Sequence, residues 1–161
     1  MKNILIPTDF SIKSLRLVNV AVERFRNEEL NITLVHALEP DRSISGMLLM
    51  SKRLKPHELC SEDFIEACEV LRNKYGSTIA TLQVEFYYGE TRFYRNNFLE
   101  ARDIDAILFA SDYTLALPSK QSGDMRKIFA NSRYPIFNER IVNTENEVFA
   151  EENSLSVLLE A

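Results

Sequence analysis

Two short loops contain most of the side chains in this sequence that could do chemistry. "PTDFS" (7–11) follows the first apolar run, and "SDYTLALPSKQSG" (111–123) follows the apolar run "DAILFA" (105–110). Loops that leave the carboxyl ends of buried strands often hold ligands. The second loop contains a single glycine, Gly123, at its far end. The sequence therefore raises the question of whether this loop binds anything.

Acid–base, nucleophilic and metal chemistry find little support in the residue pattern. The two histidines, His36 and His57, form no evident acid–base pair, and no nucleophile-elbow pattern is present. His57, Cys60 and Asp63 lie close together, but their spacing matches no zinc pattern and a fourth ligand is missing. His36 lies in an apolar run, which favours a hydrogen-bonded core residue over a ligand. We therefore expect no enzyme activity, no catalytic residue and no metal.

The chain has a formal net charge of −5, and its acidic residues are concentrated at one end. Residues 140–161 contain five glutamates against Arg140 alone, which leaves the remaining residues at −1. No basic face suited to nucleic acid is present, and no apolar run approaches the roughly 18 residues of a membrane span. The apolar run in the start "MKNILIPTDF" is too short for a signal peptide. The chain has two cysteines, which do not make a disulfide framework. We expect a cytoplasmic protein without nucleic-acid or membrane partners.

Apolar runs alternate with segments of helical periodicity along most of the chain. Five strands are predicted by "NILIP" (3–7), "NITLVHAL" (31–38), "TLQVEFYY" (81–88), "DAILFA" (105–110) and "PIFNERIV" (135–142). Four helices are predicted between them, the first capped by Ser11 and the last over 124–132. This alternation indicates a parallel sheet covered on both faces. We expect one doubly wound, five-stranded, Rossmann-like α/β domain over residues 1–142 and an acidic tail over 143–161.

Several of these segments resemble the universal stress protein family. "ILIPTDFS" (4–11) resembles its first strand, acidic turn and serine-capped helix, and "TLVHALEP" (33–40) resembles its second strand. Gly89 matches the glycine after its third strand, and "YPIF" (134–137) resembles the start of its fifth. The resemblance covers about residues 2–140 in the right order. It implies an adenine-nucleotide-alpha-hydrolase-like fold, homodimers paired through strand five, and a cleft at the carboxyl ends of strands one and four.

The ATP-binding members of that family carry the pattern G-x2-G-x9-G-(S/T) after the fourth strand. Laid on this chain without a gap, its positions fall on Ala110, Tyr113, Gly123 and Asp124. A phosphate loop needs glycine where the backbone turns to positive φ or approaches the phosphate closely, and only Gly123 remains. Tyr113 places a ring where a phosphate would approach. Asp124 can cap the next helix internally and repel a triphosphate.

The other positions implied by the resemblance are compatible with a nucleoside. Asp9 corresponds to the family's acidic residue near the adenosine, although helix capping is the commoner role of an acid there. Ala37 corresponds to the adenine-contacting position of strand two, and Ser122 could donate a hydroxyl one residue early. The implied site, a degenerate nucleotide site, consists of Pro7, Asp9, Ala37, Ala110, Tyr113, Ser122, Gly123 and Asp124. Three nearby basic residues could offer compensating charge, although the solvated start of a helix is the commoner role: Lys120, Arg126 and Lys127.

Two functions remain open at this point. The first is a regulatory or interaction protein of the universal stress type that has lost ATP binding, works without a cofactor, and pairs as a homodimer through 135–142 or with another protein. The second is a module that binds ATP, another adenine nucleotide or a small molecule in the cleft. The segment "SGMLLM" (45–50) could then act as a lid over the cleft. The tail also carries an apolar group that suggests docking on the domain or on a partner: Leu155, Val157, Leu158 and Leu159.

Overall fold

The structure is a computed structural model that describes residues 1–39, 56–89 and 91–141. Its helices and strands are, in chain order, β1 (Lys2–Pro7), α1 (Arg16–Arg24), β2 (Leu30–Ala37), α2 (Glu62–Lys74), β3 (Ile79–Tyr87), α3 (Arg92–Glu100), β4 (Ala106–Ala110), α4 (Met125–Phe129) and β5 (Ile136–Glu139). Single 3-10 turns at Lys13–Leu15 and Pro56–Leu59 precede α1 and α2. The "SGMLLM" segment (45–50) and the tail over 143–161 lie outside the described residues, so their roles stay predictions.

The five strands form one parallel sheet in the order β3-β2-β1-β4-β5. A helix lies in each crossover between consecutive strands. The order reverses between β1 and β4, where Ile4 lies opposite Ala106 and Leu5 opposite Ile107. The expected doubly wound α/β fold is therefore confirmed, and β1 and β4 flank the point at which sheets of this type bind ligands.

Successive residues of a strand point to opposite faces of the sheet, and helices cover both faces. Ile4 packs in a cluster with buried residues of α1 and α2, such as Leu71. Leu5, the next residue, packs in a second cluster with buried residues of α3 and α4, such as Phe129. Burial of each such side chain contributes about 2 kcal/mol. Because helices cover both faces of the sheet, the strands are apolar almost throughout. The same packing holds the carboxyl ends of the strands in place.

Two helices begin at hydroxyl caps that their sequences provide. The Ser61 hydroxyl accepts the N–H of Phe64 at 3.2 Å at the start of α2, and the Thr91 hydroxyl accepts the N–H of Tyr94 at 3.1 Å at the start of α3. Each such cap is worth about 1 kcal/mol. These local bonds fix where the helices start after the preceding loops.

The predicted cap, Ser11, accepts the N–H of Ser14 at 3.1 Å at the start of the 3-10 turn, which leads directly into α1. Two other predicted boundaries are wrong. β5 covers only four residues of the predicted 135–142, because the N–H of Ile141 donates to Asp112 at 2.8 Å instead of extending the ladder with β4. The last helix, predicted over 124–132, is the single short turn of α4.

Cys68, on the buried face of α2, packs as a small hydrophobic residue, as expected, and is 4% exposed. Burial raises the pKa of its thiol to about 11, so the group stays protonated at neutral pH. Across the described ranges no helix is both long and apolar enough to cross a membrane.

Candidate functional site

A cavity of about 470 Å³ opens at the carboxyl ends of β1 and β4. Residues 111–124, which connect β4 to α4 and form one wall, are called the β4 loop below. Pro7 and Thr8 of the first strand's end, Ala110 of the fourth, and Leu17 of α1 complete the lining on the other sides. Its volume lies within the roughly 300–1,000 Å³ that ligand sites occupy, and its position is the point where the strand order reverses.

The turn after β1 is held by hydroxyl groups and by one strained residue. Thr8 Oγ1 accepts the N–H of Phe10 at 3.1 Å and lies 3.0 Å from the Ser14 hydroxyl oxygen. Phe10 has a φ of 62°, in the left-handed region that costs about 1–3 kcal/mol for a residue of this type. Its ring is 7% exposed and lies 4.8 Å from His36 and 5.4 Å from Phe64 between ring centroids. Burial of the ring offsets the strain and fixes the direction of the turn.

The Asp9 carboxylate joins the β1 turn to the β4 loop. It accepts hydrogen bonds from the N–H and the hydroxyl of Ser11, from the hydroxyl of Tyr113 at 2.5 Å and from the N–H of Ala116 at 2.9 Å. Burial by itself raises the pKa of this carboxyl, but the four donated hydrogen bonds outweigh it and hold the pKa below its ordinary value of 3.8. Asp9 is therefore ionised at neutral pH, with its oxygens directed at donors of its own chain.

Tyr113 lies between the two loops. Its hydroxyl donates to Asp9 and lies 3.1 Å from the hydroxyl oxygen of Ser11. Its partly buried ring packs against the core on the α1 side, and the ammonium group of Lys13 lies 5.3 Å from the ring centroid. Burial and the bond to Asp9 raise the pKa of the hydroxyl to about 12, so it remains a donor. The second glycine position of the family pattern is thus filled by a ring tied to the β1 turn.

The far end of the β4 loop docks on the end of β2. The N–H of Gly123 donates to the carbonyl of Ala37 at 2.8 Å, and the N–H of Glu39 donates to the carbonyl of Gln121 at 2.6 Å. A Cβ at Gly123 would lie 3.2 Å from Ala37 Cβ and 3.2 Å from the end of the Ile128 side chain, so glycine permits this close approach. The carbonyl of Ala37, the adenine-contacting position implied by the resemblance, is already bonded within the chain.

His36 connects β1, β2 and the β4 loop through both of its ring nitrogens. Nδ1 lies 2.7 Å from the carbonyl oxygen of Thr8, which only accepts, so Nδ1 carries the proton. Nε2 lies 2.8 Å from Ser122 Oγ and therefore accepts from that hydroxyl. Burial lowers the pKa of His36, although the Thr8 carbonyl and the Asp9 charge act in the opposite direction. The interpretation of His36 as a hydrogen-bonded core residue is confirmed.

The contacts of Ser122 fit a structural role better than a nucleophilic one. Its oxygen also accepts the N–H of Ser119 at 3.1 Å, and its side chain lies outside the cavity lining. The adjacent N–H, that of Gly123, is bonded to Ala37 and is not available to an oxyanion. The His36–Ser122 pair holds the loop against β2.

The start of α4 is capped internally. Asp124 accepts the N–H of Arg126 at 3.0 Å and that of Lys127 at 3.3 Å, as expected from the sequence. Arg126 is exposed at the start of α4, as expected, and its guanidinium also donates to the carbonyl of Ala110 and, at 2.9 Å, to the side-chain oxygen of Asn138. Nothing local in the sequence signals these contacts, since both acceptors lie on strands.

The structure brings the eight predicted site residues to the same edge of the sheet. Those that line the cavity are Pro7, Ala110, Tyr113, Gly123 and Asp124. The others, Asp9, Ala37 and Ser122, hold the β4 loop from behind. Lining residues that the sequence did not single out include Thr8, Ser14 and Asn138. Whether any of these residues binds a ligand stays a prediction, and within the described ranges no group of three or more metal-binding side chains is present.

The chain matches no model of a known protein family and no curated protein. Its structure is similar to that of the hypothetical protein PH0823, at 20% identity and a TM-score of 0.56, covering 88% of this chain and 97% of the other. It is similar to the universal stress protein UspA from Lactobacillus plantarum, at 17% identity and a TM-score of 0.55, covering 86% and 97%. It is also similar to the hypothetical protein MJ0577, at 18% identity and a TM-score of 0.53, covering 89% and 98%. The chain therefore has the fold of a universal stress protein, as its motifs indicated.

Proposed function

We propose that this chain is a universal-stress-type regulatory or interaction protein that does not bind ATP. The shared fold supports the type of protein. The loss of ATP binding is supported above all by Asp124, whose carboxylate accepts hydrogen bonds from the N–H groups of Arg126 and Lys127. Helix starts bind phosphate through free N–H groups of this kind and the helix dipole. Here the chain supplies the anion itself, and a triphosphate would meet a like charge.

The rest of the β4 loop supports the same proposal. The N–H of Ala116 is bonded to Asp9, and the N–H of Gly123 is bonded to Ala37. A phosphate would have to displace these bonds without a flexible glycine at the position of Tyr113. The proposal also includes no cofactor, no enzyme activity and a cytoplasmic location.

Thermal melting with and without millimolar ATP–Mg²⁺ tests the proposal. We expect no shift of the melting temperature, and native mass spectrometry of the purified protein should detect no bound nucleotide. A ligand that binds only the folded state raises its stability by mass action. A reproducible rise of several degrees with ATP–Mg²⁺ would therefore contradict the proposal.

A double variant, Tyr113→Gly with Asp124→Ser, tests whether the loop is a decayed phosphate site. It restores the backbone freedom and the hydroxyl of the family pattern, so we expect weak but measurable ATP binding by calorimetry. Asp124→Asn is the matched control, because asparagine keeps a helix cap without the negative charge. If the double variant binds no ATP, the backbone of the loop itself has diverged from a phosphate-binding conformation.

A homodimer through β5 is part of the proposal. β5 pairs with β4 and ends the sheet, so its outer edge is open to a second strand within the part of the chain that the structure describes. Open edges of this kind are templates for pairing between chains. Sedimentation equilibrium should give twice the mass of the chain at micromolar concentration, and a monomer there would exclude this arrangement.

The cavity itself favours a second candidate function, the binding of a compact uncharged molecule. Its lining includes hydroxyl groups, such as those of Ser111 and Thr114, among apolar side chains such as Leu115 and Met125. A nucleoside or an apolar metabolite would avoid the charge conflict at Asp124. Native mass spectrometry under gentle ionisation should then show a co-purified species of a few hundred daltons, whereas the first proposal predicts the bare chain.

A further inference from the structure

The sheet has two edge strands, and β3 is the longer of them. β3 covers nine residues, whereas β5, at the opposite edge, covers four. Within the described residues β3 pairs with β2 alone. An edge strand exposes a row of backbone N–H and carbonyl groups with which a strand of another molecule can pair. By its length, β3 is therefore the edge at which copies of this chain would pair most readily.

The bonds between β3 and β2 show which backbone groups of β3 face outward. The carbonyl of Tyr87 accepts the N–H of Leu38 at 2.9 Å and so points toward β2. Successive residues of a paired strand direct their backbone groups to alternate sides. Leu82 lies five residues before Tyr87 in an unbroken register, so its N–H and carbonyl point away from the sheet. A strand that paired along this edge would need the carbonyl of Leu82 as an acceptor.

Arg72 of α2 already occupies this outward carbonyl. Its Nε donates to the oxygen of Leu82 at 3.1 Å, and its Nη2 donates to the same oxygen at 2.5 Å. The Leu82 side chain is 4% exposed and packs in the same buried cluster as Leu71, the residue before Arg72. This packing holds the helix and the strand at the separation that the two hydrogen bonds need. An incoming strand would have to displace a charged donor from the edge.

The beginning of β3 is irregular as well. Leu30 lies opposite Ile79, but Asn31 lies opposite Thr81, so the register passes over Ala80. An extra residue of this kind bends an edge strand and interrupts its row of bonding groups. A second strand would thus meet irregular backbone at Ala80 and an occupied carbonyl two residues later.

The edge formed by β5 carries no comparable contact within the described residues. The carbonyl of Glu139 accepts the N–H of Ser111 on β4, so the backbone groups of the preceding residue, Asn138, point outward. Arg126 reaches Asn138 only through its side-chain oxygen and leaves these backbone groups open. The two edges of the sheet therefore differ in whether an arginine occupies an outward carbonyl.

We propose that Arg72, together with the irregular backbone at Ala80, closes the β3 edge to pairing with a second copy of this chain. A sheet with two open edges lets copies add without end, whereas a single open edge gives a closed pair. The proposal goes beyond the homodimer through β5 and does not depend on it, because the contact between Arg72 and Leu82 lies within one chain.

Distances between spin labels on β3, measured by pulsed electron paramagnetic resonance, test the proposal. A nitroxide is attached at Gln83→Cys, an exposed position, in a Cys60→Ser background; Cys68 is 4% exposed and stays unlabelled. Neighbouring strands lie about 4.8 Å apart, so pairing of two β3 edges would place the labels within about 20 Å of each other. Pairing through β5 would separate them by nine strand spacings, or about 40 Å.

With Arg72 in place, we expect no distance below about 20 Å. Arg72→Leu keeps an aliphatic side chain but removes the guanidinium, and it should give a short-distance population that grows with protein concentration. Pairing no longer displaces a charged hydrogen bond in this variant, so association through β3 should strengthen roughly tenfold for each copy. Short distances with Arg72 in place, or their absence in Arg72→Leu, would overturn the proposal.

Two further variants separate edge pairing from other effects. Arg72→Ser has too short a side chain to reach Leu82 and should give the same short distances, which also covers the case that Arg72→Leu does not fold. Arg26→Leu adds a matched apolar side chain at an exposed arginine that pairs with Glu23, and it should give none. Equal short-distance populations in Arg26→Leu and Arg72→Leu would overturn the role of the Arg72 contact. The distance of about 40 Å reports on β5 alone, so failure of the homodimer is seen separately.

Discussion

The two halves of the β4 loop are attached to the domain in different ways. In the first half, residues 111–118, the N–H of Ser111 donates to the carbonyl of Glu139, and Asp112 accepts the N–H of Ile141. The rest of this half, residues 113–118, is held by the Asp9 carboxylate, which accepts the hydroxyl of Tyr113 and the N–H of Ala116. The second half, residues 119–124, is held by backbone pairing with β2 and by neutral bonds between His36 and Ser122. A single ionised group, Asp9, thus secures residues 113–118, whereas several neutral hydrogen bonds hold the second half. Removing the Asp9 side chain should release residues 113–118, whereas removing one side chain from the second half should only weaken its attachment.

The largest effect is expected from Asp9→Ala. The change leaves two backbone N–H groups and two hydroxyls without their charged acceptor, and hydrogen bonds to charged groups contribute about 1.5–3 kcal/mol each without being additive. We expect the free energy of unfolding in urea to fall by about 3 kcal/mol. Hydrogen exchange at the amide of Ala116 should also lose its protection.

Tyr113→Phe is the matched control for this change, because it removes one donor and leaves every N–H of the loop paired. Its expected cost is about 1 kcal/mol. If Asp9→Ala and Tyr113→Phe destabilise the protein equally, the carboxylate does not hold the first half beyond its bond to Tyr113.

A smaller effect is expected from Ser122→Ala. It leaves Nε2 of the buried His36 without a donor and should lower the free energy of unfolding by about 1–2 kcal/mol. The amide of Gly123 should stay protected from exchange, since its bond to Ala37 does not involve the changed side chain. Ser119→Ala is the control and should cost less, because its hydroxyl only accepts the N–H of Gln121 at a partly exposed site. Loss of protection at Gly123 would show that the side chain, not the backbone pairing, holds this half.

The smallest effect is expected from pH, and it should separate the two halves. Folding lowers the pKa of His36 below its ordinary 6.5, so the unfolded chain binds a proton that the folded chain resists, and stability falls as pH drops below 6.5. Folding also lowers the pKa of Asp9, so its contribution is complete above 3.8 and is lost as pH falls through its lower folded value. As the pH falls, the attachment of the second half of the β4 loop should therefore weaken before that of the first half.

Urea unfolding between pH 7 and pH 3 measures this order. His36→Gln should remove the dependence between pH 7 and pH 5, and Asp9→Asn should reduce the dependence below pH 4. His57→Gln, at the other histidine, serves as control. An unchanged pH profile in His36→Gln would contradict the assignment of the upper step.

The sequence predicted the fold well because its strands and helices are coded locally. Apolar runs such as "DAILFA" (105–110) are buried on both faces of the sheet, and their flanking turns mark the ends of the strands. The prediction was wrong where a distant group intervenes. β5 stops early because Asp112 takes the N–H of Ile141. The bonds from Arg126 to Ala110 and Asn138 were not predicted either, because both acceptors lie on strands.

The contacts of the candidate site are likewise of two kinds, local ones that the sequence predicts and distant ones that it does not. The cap of Asp124 on Arg126 and Lys127 joins residues two and three positions apart, so spacing alone determines it. The bonds from Tyr113 to Asp9 and from Ser122 to His36 span 104 and 86 positions. No local pattern specifies such pairs, because they form only when the strand order places β1 between β2 and β4. The sequence by itself determined that the carboxylate of Asp124 caps the start of the last helix. Only the tertiary structure decided that hydrogen bonds hold the β4 loop across the cavity, since these bonds depend on which strands are neighbours.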